Sequence, residues 1–140
     1  MLKKFFKKKE KKEQNEKEIA ITALLIHAAK IDENYTDVEE KIIKKALLNL
    51  NLSSEEKINA LLASAKKKEK DSNQIIEYTK EIKKEPMKFR LEIIEILWKI
   101  IYADGLSDDF ESNLIRRVCG LLYISDKDNG TIKLKVQNSI

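Results

Sequence analysis

The chain of 140 residues has one cysteine, one proline, three glycines, one tryptophan and one histidine. A single thiol, Cys119, excludes a disulfide framework, and a thiolate metal site would need further ligands. The scarcity of glycine and proline argues against a β-rich fold built on tight turns, and valine, at three residues, is nearly absent too. No apolar run reaches membrane-spanning length, and the opening residues lack the apolar segment of a secretory signal. These absences point to the cytoplasm. No phosphate-cradling glycine loop and no zinc spacing occur.

Charge is plentiful, with 28 basic and 24 acidic residues. Residues 1–18 hold eight Lys and four Glu, a net of +4, which leaves the other 122 residues formally neutral. The basicity therefore belongs to an N-terminal arm, read here as flexible over 1–17, and a single domain follows over 18–140. A broad nucleic-acid-binding face would need a basic stripe on the body, and none is evident. The arm places Leu2, Phe5 and Phe6 among lysines, a composition suited to weak, salt-sensitive contact with the inner face of an anionic membrane. A frayed, solubilising terminus is the plainer reading.

The body reads as all-α. Residues 19–31 form a short helix apolar on nearly every side, which predicts that other helices surround it. A second helix starts at Thr36 with Val38, Ile42, Ile43, Ala46, Leu47 and Leu50 at three- and four-residue steps. Ser53 to Glu56 reads as a capping box opening a third helix, with Ile58, Leu61, Leu62 and Ala65 inside and KKKEK at 66–70 as its solvated end. Asp71 or Ser72 can cap a fourth helix, with Ile75, Ile76, Thr79 and Ile82 inside. Pro86 suits the first turn of the fifth, MKFRLEIIEILWKIIYA, which is the most apolar and hence central, with Trp98 as a core anchor. A sixth runs from about Asp108 to Leu122. Ser125 can open a seventh, which Asn129 and Gly130 weaken to about a turn before a looser tail.

Shifting the sequence by 72 residues aligns 30–53 with 102–125. Asp32 falls on Asp104, Thr36 on Asp108 and Glu39 on Glu111; Ile42, Ala46 and Leu50 fall on Leu114, Val118 and Leu122. The expected architecture is a compact array of about seven helices with two pseudo-symmetric helical-hairpin halves. Each half carries an acidic turn. Capping accounts for Thr36 with Glu39 and for Asp108 with Glu111, and Gly105 can end the fifth helix. Asp32 and Asp104 lie near helix C-termini, where the dipole disfavours a carboxylate. A loop hydrogen bond is one explanation. The other is a shared acidic cleft of Asp32, Glu39, Asp104, Asp108 and Glu111, whose hard oxygens suit Ca2+ or Mg2+ or a basic partner segment. The spacing does not fit an EF-hand.

The quoted blocks AAKID, LNLNLSSEE, EIIEILWKIIYADGLSDDFE and LIRRVCGLLYIS together resemble the TerB-like family of tellurite-resistance domains, also found in membrane-linked J-domain co-chaperones. The resemblance covers about residues 18–126. It implies a seven-helix domain in two halves with an acidic cluster, here Asp32, Glu39, Asp104 and Glu111, that binds metal or a partner. It also implies a link to stress response. The family commonly has glycine after the first Asp; this chain has Glu33, so Asn34 would have to supply a left-handed backbone. No HPD tripeptide is present, so a co-chaperone role is not implied.

Catalysis has little behind it. His27 lies inside the apolar first helix and Cys119 in the sixth, with no motif linking them. The leading expectation is a non-catalytic binding or scaffold module. A carboxylate-based or metal-assisted hydrolase and a purely structural domain are the alternatives.

Overall fold

A computed structural model describes residues 2–31, 35–72, 74–104 and 109–139, with side chains described over 16–31, 35–72, 74–103 and 112–139. Among these residues the fold is entirely helical: α1 (Leu2–Ala29), α2 (Asp37–Asn49), α3 (Ile58–Asp71), α4 (Ile75–Ile82), α5 (Met87–Ile101), a 3-10 turn (Tyr102–Asp104), α6 (Asp109–Leu121) and α7 (Asp126–Asn138).

The second half of α1 organises the packing. Every residue from Ala20 to Ile26, then Ala28 and Ala29, is buried. Neither glycine nor proline interrupts α1, so the helix starts at Leu2 rather than near Ile19, and the basic segment shares its backbone. Helices α3, α4, α5 and α2 pack around it, as so apolar a helix requires. Thr22, buried among them, donates its hydroxyl to the Glu18 carbonyl at 2.7 Å.

The second apolar helix, α5, buries Ile93, Ile94, Leu97, Trp98, Ile100 and Ile101. Pro86 stands one residue before it, at the N-cap. Trp98 is the expected core anchor, and its Nε1 donates to Asn129 Oδ1 at 2.9 Å. That bond explains a departure from expectation: α7 is a full 13-residue helix, not a turn and a loose tail. Ser125 caps it by accepting from the Asp128 N–H at 3.1 Å, Val136 is buried, and Lys135 pairs with Glu95 of α5 at 2.9 Å. Packing against α5 outweighs the weak propensity of Asn129 and Gly130.

Two further expectations are corrected. Ser53–Glu56 does not cap α3; Lys57 precedes that helix with no side-chain cap, and the Lys57 and Ile58 amides both bond the Ser54 carbonyl. Burial of Leu52 behind and Ile58 ahead fixes this turn. Neither Asp71 nor Ser72 caps α4: Asp71 ends α3, and Ser72 donates to Glu77 at 2.9 Å. The inward face of α4 is Ile75, Tyr78, Thr79 and Ile82, while Ile76 is exposed; the Tyr78 hydroxyl donates to the Ser72 carbonyl.

The 72-residue repeat is present in the backbone. Helices α1 and α5 end at Ala29 and Ile101, α2 and α6 begin at Asp37 and Asp109, and both close by the same hydrogen bonds. Leu52 N–H reaches the Leu47 carbonyl and Ile124 N–H the Cys119 carbonyl, each at 2.9 Å. Between them Asn51 (φ 56°) and Tyr123 (φ 59°) are left-handed. These are two Schellman exits with a buried aliphatic residue after each.

Asn tolerates the left-handed region and Tyr does not. Tyr123→Gly should therefore raise unfolding free energy by about 0.5–1 kcal/mol in urea denaturation, since the ring is largely exposed, while Asn51→Gly should change little. Gly130 lies inside α7, and an added Cβ there meets nothing within 4 Å. Gly130→Ala should stabilise by about 0.5–1 kcal/mol in the same measurement.

Candidate functional site

The first acidic turn is built on α2. Thr36 adopts an extended backbone before the helix, and its hydroxyl accepts from the Glu39 N–H at 3.2 Å. Glu39 Oε1 accepts in return from the Thr36 hydroxyl at 3.0 Å and from the Thr36 N–H at 3.3 Å. This is the capping box read from the sequence. It buries Glu39, against the usual habit of a surface carboxylate. Beside it Glu40 accepts from Lys66 at 2.8 Å and from the Tyr35 hydroxyl at 3.3 Å. The Lys66 hydrogen bond, outweighing burial, holds Glu40 below the usual carboxylate range, whereas burial and Glu40 push the Tyr35 hydroxyl up.

Glu39 is the one acid of the five whose side chain is described. Asp104 ends the 3-10 turn and Glu111 lies in the first turn of α6, but their side chains fall outside the described residues. Asp32 and Asp108 lie wholly outside them, as do Glu33, Asn34 and Gly105. Among the described residues no three His, Cys, Asp or Glu side chains gather as metal ligands. The described side chains therefore supply one candidate oxygen donor, and that carboxylate already caps α2.

What the structure adds is a groove of about 770 Å3 between α2, α5 and α7. Val38, Ile42, Ala46, Ile96 and Val136 give it apolar walls, and Lys45, Glu92, Glu95 and Lys99 its charged rim. Sequence periodicity assigned Val38, Ile42 and Ala46 to the core stripe of α2. In the fold Ile43 and Leu47 take the core, while Val38, 57% exposed, stays at the groove. Val38, Tyr102 and Ala103 are among the residues that line it. Val38 precedes Glu39 and Ala103 precedes Asp104, so each acidic turn has a sequence neighbour in the groove lining.

Residues 18–134 match the family model described as Tellurite resistance protein TerB. The chain belongs to the TerB family. Comparison with curated proteins and with solved structures gave no match. No helix among the described residues is long and apolar enough to cross a membrane.

Between α1 and α3 of this TerB domain lies a cluster the sequence reading missed. Glu69 of α3 is buried, with His27 Nδ1 at 3.2 Å from its Oε1 and Lys30 Nζ donating to its Oε2 at 2.8 Å. The KKKEK run was expected to be a solvated end. Its signal was the period: Ile58, Leu62 and Ala65 are buried at steps of four and three, and the next step of four is Glu69. Burial pushes the Glu69 carboxyl up, but the hydrogen bonds and charges of Lys30 and His27 outweigh it, and the net shift is downward. Cys119 is buried, and burial with Asp126 nearby pushes its thiol up to about 12, so it is an inert core residue.

Glu69 favours its charged form when folded, so its contribution is present above the ordinary Glu value of 4.5 and is lost as pH falls through the lower folded value. Glu69→Gln should destabilise the domain by about 1–3 kcal/mol at pH 7. The difference between the two proteins should shrink as pH is lowered below that range, as read by urea titration at stepped pH.

Proposed function

We propose that the domain is a non-catalytic binding module, in which the acidic turns of the two halves and the groove between α2, α5 and α7 receive a basic partner segment or a divalent cation. One observation carries this reading: Val38 and Ala103, the neighbours of Glu39 and Asp104, both line the same groove. An apolar trough next to acidic turns suits a segment with aliphatic side chains on one face and lysine or arginine at one end. Asp32, Glu39, Asp104, Asp108 and Glu111 are the acids assigned to this site, and their oxygens suit Ca2+ or Mg2+ over softer ions. We assign such a module a role in tellurite resistance and stress response in the cytoplasm, a reading that membership of the TerB family supports.

Two features together would have favoured a hydrolase, an apolar pocket at the acids and a carboxylate there held above its usual range. The groove meets the first. Among the described residues the carboxyl raised by burial is Glu18, which belongs to α1 and does not line the groove.

Titration calorimetry with Ca2+, Mg2+ and Mn2+, and separately with a short Lys-rich amphipathic peptide, tests the assignment. Binding of either should weaken at least tenfold in Asp104→Asn. For the peptide, Val38→Asp should weaken it too, by placing a charge against an apolar wall. Absence of heat from the unsubstituted protein at millimolar ion, together with peptide binding indifferent to both substitutions, would remove this function.

A further inference from the structure

The basic charge is more concentrated than the net value shows. Residues 1–12 contain seven Lys and one Glu, a net of +6, so the remaining 128 residues carry a net of −2. The backbone of residues 2–12 is helical and belongs to α1, whose 28 residues span about 42 Å. Residues 2–15 account for about 21 Å of that length. The same helix enters the body without glycine or proline. From Lys17 onward its contacts are set: Lys17 Nζ pairs with Glu85 at 3.2 Å and lies over the Phe89 ring at 5.9 Å. The buried segment starts three residues later, at Ala20.

We propose that the first three turns of α1 dock the domain on an anionic membrane surface. The lysines supply attraction to acidic lipid headgroups, and Leu2, Phe5 and Phe6, within little more than one helical turn of each other, supply shallow apolar insertion. Each lysine near such a surface contributes about 1 kcal/mol, so seven suffice where three apolar residues alone would not. A lipid surface is favoured over nucleic acid because the large apolar residues stand among the lysines, where headgroups and acyl chains lie side by side. A phosphate backbone offers no apolar layer to Leu2, Phe5 and Phe6. The docking is independent of the groove and of the acidic turns. Because the helix is continuous, it also sets how the body sits on the membrane.

The experiment is co-sedimentation of the full chain with vesicles of phosphatidylcholine alone and with 30% phosphatidylserine (on the order of a cytoplasmic leaflet's acidic content), at low and high salt. The chain should sediment with the acidic vesicles at low salt, and high salt should release it. Lys7→Gln, Lys8→Gln and Lys9→Gln combined should weaken the association more than tenfold, and Phe5→Ser with Phe6→Ser severalfold. Circular dichroism of each variant checks that the body stays helical. Equal recovery with neutral and acidic vesicles, or undiminished binding by the lysine variant, overturns the proposal. So does release from acidic vesicles by an equal charge concentration of duplex DNA or RNA.

Discussion

The fold depends on one constraint, the enclosure of Ala20–Ala29. This segment has no polar side to give to water: Ile21, Leu24, Leu25 and Ile26 point in different directions around the helix and all are buried. Four alanines, at 20, 23, 28 and 29, keep the helix thin enough for neighbours to approach on every side. Helices α2, α3, α4 and α5 are arranged by that demand. The two side chains that interrupt the apolar surface are handled locally. Thr22 bonds back to its own helix, and His27 meets a carboxylate that α3 carries inward. Glu69 is thus tolerated in the interior because both oxygens are engaged, one by His27 and one by Lys30.

A duplicated pattern solves part of this packing twice and then diverges. The matched exits at Leu50–Leu52 and Leu122–Ile124 turn each chain end through the same left-handed residue. Beyond them the paths separate. After Ser125 the chain enters α7 at once and lies over α5, held by the Trp98–Asn129 bond. After the matching Ser53 it makes an uncapped turn, and α3 then packs along α1. Covering α1 and α5 by different routes leaves the outer stripe of α2 only partly covered. The groove is that uncovered strip of α2, walled by α5 and α7. An apolar surface of this kind persists in a folded protein at little cost when a charged rim surrounds it, as Lys45, Glu92, Glu95 and Lys99 do here.

Helix number, the central place of α5, the capping box at Thr36 and the offset of 72 residues were all legible in the sequence, because each rests on short-range spacing. What was not legible depends on angles between helices. The stripe Val38–Ile42–Ala46 looks like core in a one-dimensional pattern, and only the placement of α7 makes it a groove wall. Asn129 and Gly130 argue against helix by propensity, and a tertiary bond from an indole 31 residues away reverses the outcome. Glu69 was hidden for another reason. Its neighbours, all charged, suggest solvent by composition, although the period of α3 continued through it. The acidic turns were readable as caps, and Glu39 is one.

The distribution of charge follows from the same architecture. A buried helix cannot carry lysines, and the body around it is charge-balanced apart from a small acidic excess. Basic residues are therefore displaced to the start of α1, ahead of its buried segment. Displacement alone would be met by lysines scattered along a loop. Here they sit on a helix continuous with the core, and the first fixed contacts, Lys17 with Glu85 and Phe89, tie that helix to the start of α5. The basic segment and the buried segment of α1 share one helix, and Lys17 ties that helix to α5. Acidic turns follow the ends of both of those helices, at Ala29 and Ile101, so the most positive and most negative parts of the chain are joined through a rigid apolar interior. A separation of charge along one helix gives a torque in front of a charged surface that a uniform net charge does not.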